Sequence, residues 1–156
     1  MSYAYDTIAD IIRLGEENNI SFGDVVLRYE LENYDRSEDA VVHEIENRLD
    51  IFESSIQDGI AYAEKTASGM SGGQAAQLNG QTPRFMSDIA YKAMTYAIAV
   101  NEANAKMFRI VACPTAGSCG VMPGAVKAVA DHYQLDRATV VKGFLAASGI
   151  GNVVAN

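Results

Sequence analysis

Two short stretches of this sequence carry glycine, hydroxyl and thiol groups in a spacing that suits small anions. The first is Ser68-Gly69-Met70-Ser71-Gly72-Gly73-Gln74, and the second is Pro114-Thr115-Ala116-Gly117-Ser118-Cys119-Gly120. In the second, two glycines, two hydroxyls and a thiol lie just ahead of a segment with helical periodicity. Such a loop can aim several backbone N–H groups at one anion. The dipole of the following helix favours negative charge there, and glycine removes the Cβ that would block close approach. The plain alternative is a loop whose hydroxyls cap the helix. Between the two stretches, Asn101, Glu102 and Asn104 form a polar patch inside an apolar helical segment. Burial there demands partners, so the patch is either a core hydrogen-bond network or a ligand contact. Lys106 and Arg109 offer the simpler outcome of neutralising Glu102.

Ser71 also satisfies the G-x-S-x-G pattern of hydrolase nucleophile elbows, but an elbow needs a strand before the serine and a helix directly after it. Here a long helix precedes it, and the candidate partners Asp131 and His132 are adjacent and poorly placed as separate triad members. A second hydroxyl-rich loop for an anion is the better expectation. Cys113 and Cys119 are separated by five residues, which matches neither a C-x-x-C redox motif nor tetrahedral zinc spacing. Two thiols are too few for an iron–sulfur cluster. A nucleophilic Cys119, its pKa lowered by a helix N-terminus, stands as a rival reading, although His43 and His132 both read as surface residues.

The elements that must hold these loops are helical. Val41, Ile45, Leu49, Phe52, Ile56, Ile60 and Ala63 recur at spacings of three and four, one stripe of a long helix over residues 37–65 opened by Ser37. Residues 4–18 and 22–34 read as shorter helices, the second capped by Ser21 with Asp24 three positions on. Periodicity stops from Thr66 to Arg84, apart from a short turn at 74–78. A loop of this length in a compact domain is more often functional than idle. Ser87 opens a helix to about Phe108 that is buried on several sides. Pro123 fits the first position of a helix to about Tyr133, and Asp136 caps a last helix over 137–156. That last helix is rich in small residues and calls for a neighbour, through an oligomer contact or further chain. No alternating pattern competes for more than a few positions. The expected class is all-α, a bundle-like single domain over 1–156, with N-terminal helices over 1–65 and the two glycine- and serine-rich loops in the half over 66–156.

Composition narrows the function. With 156 residues, 49% hydrophobic, 21% charged and three prolines, the chain is neither disordered nor fibrous. The net charge of −8 argues against a nucleic-acid partner. The acid is concentrated: residues 1–70 carry a net −11 and residues 71–156 a net +3, which suits a small carboxylate or phosphate on the second half or, more simply, a solvated acidic face on the first. No hydrophobic run approaches the roughly 20 residues of a membrane span, and the N-terminus lacks the basic and apolar regions of a signal peptide. We expect a cytoplasmic protein, no membrane partner, and cysteines kept as thiols.

Three motifs in order carry a resemblance: Ser68-Gly69-Met70-Ser71-Gly72-Gly73, then Ala97-Ile98-Ala99-Val100-Asn101-Glu102-Ala103-Asn104-Ala105, then Arg109 through Pro123 with Pro114-Thr115-Ala116-Gly117-Ser118-Cys119-Gly120 at its centre. Over about residues 66–156 the chain resembles the α-chain of iron–sulfur-dependent L-serine dehydratases (L-serine ammonia-lyases). The resemblance implies deamination of L-serine to pyruvate and ammonia. It also implies a [4Fe–4S] cluster held by three cysteines, one iron acting as Lewis acid on the substrate hydroxyl, and a separate β-chain within an oligomer. The candidates for substrate binding are then Ser71, Gly72, Gly73, Asn101, Thr115, Ala116, Gly117, Ser118 and Gly120, with no catalytic residue assigned. The cluster cysteines of that family fall beyond Asn156, and Cys119 corresponds to a cysteine that is not a ligand. The expectation is a truncated α-chain, without cofactor on these residues and inactive alone. A helical interaction module that docks through the stripe from Val41 to Ala63 is the non-enzymatic alternative.

Overall fold

The structure, a computed structural model, describes residues 2–113 and 115–155. The expectations touching Pro114 and Asn156 lie outside these residues. The described residues form seven α-helices and one 3-10 turn, with no strand, in agreement with the all-α class: α1 Ile8–Asn18, α2 Phe22–Tyr34, α3 Glu38–Ala61, α4 Gln74–Leu78, α5 Asp88–Ala105, α6 Val121–Tyr133 and α7 Arg137–Ala155, the turn being Ala116–Ser118. They fall into two compact units, one of residues 1–46 and 136–156, the other of residues 47–135. One boundary between them lies within α3.

In the first unit the helix starts are written in capping boxes. Thr7 accepts from the Asp10 N–H while the Asp10 carboxylate accepts from the Thr7 N–H, so α1 begins at Ile8 and not at residue 4. Ser21 and Asp24 do the same for α2. Ile11, Val25 and Val26 are fully buried. Gly23 and Gly149 let α2 and α7 close to backbone distance: a Cβ at Gly23 would stand 2.4 Å from the Lys142 carbonyl oxygen, and one at Gly149 2.4 Å from Val26 Cγ2. Lys142 also pairs with Asp24 at 3.0 Å. Asp136 caps α7 through the Thr139 N–H at 2.7 Å. By length and composition α7 is long and apolar enough to cross a membrane, which corrects the expectation that no run approaches that length. One side of it, Val141, Phe144, Leu145 and Gly149, is buried.

In the second unit α5 is the central element. Ala99 and Val100 join Ile56, Ala75 and Cys119 in one buried cluster, with Ile60, Tyr96, Ile98 and Ile110 packed against it. Alanine and glycine dominate because the helices meet backbone to backbone. A Cβ on Gly59 would lie 1.9 Å from the Ala99 carbonyl oxygen, and one on Gly124 2.6 Å from that of Ala93. The Tyr96 hydroxyl donates to Asp131 at 3.0 Å, and Lys127 pairs with the same carboxylate at 2.5 Å. Burial, reinforced by that carboxylate, pushes the Tyr96 phenol up to about 12.

Three further boundaries differ from the sequence reading. Pro123 is the third residue of α6, where its missing N–H still costs nothing because the first turn has no intrahelical acceptor for it. The stripe on α3 is buried from Val41 to Ile56, but the helix ends at Ala61 and Ala63 is exposed. That burial removes the stripe as a free docking face. Finally, α5 stops at Ala105 and not near Phe108: the Phe108 N–H returns to the Ala103 carbonyl and the Met107 N–H to that of Asn104, with Met107 left-handed at φ 64°. This is a Schellman closure with methionine at the position that favours glycine.

Two substitutions test this packing by urea denaturation. Gly23→Ala should destabilise the chain by about 1–3 kcal/mol, because its methyl meets the backbone of α7. Met107→Gly should stabilise it by about 1 kcal/mol by relieving the left-handed residue, since the side chain is 92% exposed and loses little contact.

Candidate functional site

All nine candidate substrate-binding residues lie in the second unit, around the C-terminal half of α5. Gly73 is the N-cap of α4 and has no side chain with which to cap it. Glu102 supplies the cap from α5. Its carboxylate, in a residue only 3% exposed, accepts from the N–H of Gly73 at 2.8 Å, Gln74 at 2.7 Å and Ala75 at 3.4 Å. Glu102 thus belongs to a core network, whereas Asn101 is exposed and Asn104 half-buried, and the neutralisation by Lys106 or Arg109 is replaced by backbone amides. Lys106 turns instead to the Tyr62 carbonyl oxygen.

The turn at Gly72 and Gly73 needs glycine twice over. Both have left-handed φ, 116° and 87°, and a Cβ would stand 2.4 Å from the Glu64 carbonyl oxygen at Gly72 and 2.7 Å from that of Ala63 at Gly73. The Gly73 N–H, a candidate donor to substrate, is already held by Glu102. Ser71 is half-buried, and its carbonyl accepts from the Thr66 N–H at 2.9 Å.

The second loop is held from the next turns of α5. Asn104 Nδ2 donates to the Ala116 carbonyl oxygen at 3.1 Å, and Asn101 Oδ1 receives the Cys119 thiol at 3.9 Å. Gly120 seats against α5, where a Cβ would fall 2.3 Å from the Ala97 carbonyl oxygen and 2.6 Å from Asn101 Nδ2. Thr115 and Ser118 form their own capping box around the 3-10 turn, and the Ser118 hydroxyl donates to the Cys113 carbonyl at 3.0 Å. Thr115, Ala116 and Gly117 are exposed at the surface of this pinned turn, whereas Ser118 is half-buried and Gly120 buried.

Asn104 and Glu102 are thus the residues that tie the loops to α5, and neither stood among the nine candidates. The available signal was a polar pair set in an alanine run. The distant partners, 12 and 27 to 29 residues away, leave no local trace.

Cys119 is fully buried and burial pushes its thiol up, not down. That corrects the reading of Cys119 as an activated nucleophile: the thiol ends inside the core two residues before α6. The Cys113 thiol is raised as well, chiefly by burial, against the opposing charge of Arg48. Among the described residues no group of three or more His, Cys, Asp and Glu side chains is placed to hold a metal ion. With one thiol sealed in the core, these residues do not fit an iron–sulfur cluster. In the folded chain iodoacetamide should label Cys113 well before Cys119, at a rate still climbing above pH 9 because a raised pKa delays thiolate formation. Peptide mapping reads this directly, and faster labelling of Cys119 would contradict its burial.

The family described as serine dehydratase alpha chain matches residues 17–156. The L-serine dehydratase alpha chain of Peptoniphilus asaccharolyticus is 32% identical over 96% of this chain and 52% of its own length. The probable L-serine dehydratase alpha chain of Bacillus subtilis is 29% identical over 97% of this chain and 51% of its own. The L-serine dehydratase TdcG of Escherichia coli is 43% identical over a shorter stretch, 36% of this chain and 13% of that protein. The chain spans about half the length of the first two relatives. With 140 matched positions that include both loops and all of α5, the chain belongs to the serine dehydratase alpha chain family.

Proposed function

We propose that this chain is part of an L-serine dehydratase and that its exposed turn at Thr115, Ala116 and Gly117 holds the carboxylate of L-serine. The whole protein would deaminate L-serine to pyruvate and ammonia, the water lost on elimination being taken up again when the resulting enamine is hydrolysed. The reading is supported by one observation above others: the turn is exposed yet fixed, pinned by the Thr115–Ser118 capping box, by Asn104 on the Ala116 carbonyl, and by Gly120 seated on α5. Donors fixed before the substrate arrives lose little entropy on binding and need no reorganisation as charge develops. Asn101, beside Gly120 and Cys119, stands next to this turn. Ser71 and Gly72 belong to the site as a second contact, while Gly73 serves by anchoring the loop through Glu102.

The [4Fe–4S] cluster implied by the resemblance has no fitting ligand set in these residues, so no step is derived through it. We place its cysteine ligands outside residues 1–156, and with them the expectation that this chain alone is inactive. A separate β-chain and a cytoplasmic setting complete the proposal. Ile150 and Val154, 43% and 77% exposed on α7, support a neighbouring chain there.

Binding is testable without turnover. In an amide-resolved NMR titration of the 156-residue chain, L-serine should shift the Ala116, Gly117 and Ser118 signals. Gly117→Ala should keep the fold, because its methyl would meet only Thr115 Oγ1 at 3.8 Å, yet weaken serine binding by crowding the turn. Unmoved signals in this turn at saturating L-serine would refute the assignment.

A further inference from the structure

The Ser68–Gln74 loop is held by several contacts on either side of Ser71. Gly72 and Gly73 press on the carbonyls of Glu64 and Ala63. Its Ser71 carbonyl accepts from the Thr66 N–H and hydroxyl. The Thr66 and Ser68 hydroxyls bond each other at 3.1 Å, and the Gly72 N–H reaches Gln74 Oε1 at 3.4 Å. On the side facing α5, Glu102 takes the amides of Gly73, Gln74 and Ala75. The Ser71 hydroxyl is left without a hydrogen bond among the described residues, although Ser71 is half-buried.

We propose that Glu102 is a positioning residue for substrate: by holding the Gly73 and Gln74 amides it fixes the preceding residue, so that the Ser71 hydroxyl donates to the carboxylate of L-serine. This rests on the substrate-binding reading above. Glu102 itself touches no substrate, because its carboxylate is buried and both oxygens are occupied by main-chain donors. In Glu102→Gln the volume stays, but an amide NH2 must face one of those N–H groups, donor against donor. The loop then loosens while the apolar packing of α5 is kept.

The test is a double-mutant cycle on the 156-residue chain, with L-serine affinity read by NMR titration and loop order by amide hydrogen exchange. Glu102→Gln should accelerate exchange at Gly73 or Gln74 about tenfold, and Glu102→Gln and Ser71→Ala should each weaken L-serine about tenfold, the effect of one lost hydrogen bond. The double variant should bind no more weakly than Ser71→Ala alone, because Glu102 acts through Ser71. A merely structural role would not produce that convergence. Additive losses, or unchanged serine affinity in Glu102→Gln, would overturn the inference while leaving the Thr115–Gly117 assignment standing. Absence of any response to L-serine in the unsubstituted chain would overturn the binding reading and this role together. If Glu102→Gln does not fold, Glu102→Asp, which keeps the charge on a reach one carbon shorter, enters the same cycle with the same outcomes.

Discussion

A buried carboxylate is expensive unless donors surround it, and the arrangement of the second unit follows from how Glu102 meets that demand. Its partners are not side chains but three successive main-chain amides at the start of α4. Each hydrogen bond to a charged group is worth about 1.5–3 kcal/mol, roughly twice a neutral one. The exchange satisfies both sides: α4, five residues long and capped by a glycine, has too little of its own to define its start, and α5 gains a reason to bury an acid. The long loop over residues 66–84 is in consequence fastened at a defined point to the central helix of its unit.

The other loop is fastened by a different device. Asn104 takes a carbonyl, Asn101 takes a thiol, and Gly120 removes the side chain that would keep the turn away from α5. One run of four residues on α5 therefore holds two loops that lie more than forty positions apart in sequence. The glycine-to-carbonyl approaches at Gly59, Gly120 and Gly124 explain why α5 is so rich in alanine: larger side chains on the facing helix would prevent backbone contact at these distances.

Local chemistry was legible where it is local. The Ser21–Asp24 box, the five-residue turn at 74–78 and the Ser87 and Asp136 caps follow from residue type and spacing alone. The start of α1 did not, because Tyr5 is buried and so looks like part of an apolar face, yet Thr7 and Asp10 set the first turn after it. The end of α5 did not, because a left-handed methionine is the less favoured way to close a helix. The partner of Glu102 did not, since two nearby cations were the obvious choice in sequence and three amides more than twenty-five residues away were the answer. For the same reason Gly73 looked like a free anion donor. The glycine pattern announces a nest for negative charge, but not that the chain brings its own.

The seating of α6 on α5 has a mechanical corollary. Helices separated by large side chains can slide, because rotamers re-seat as the rods move. Where carbonyl oxygen rests against glycine there is no such lubricating layer, and displacement of either rod has to be carried by the main chain itself. The Tyr96–Asp131–Lys127 cluster adds a polar tie from the middle of α5 to the C-terminal half of α6. The scaffold beneath the Thr115 turn is thus built to resist shear, which leaves any adjustment there to the turn itself.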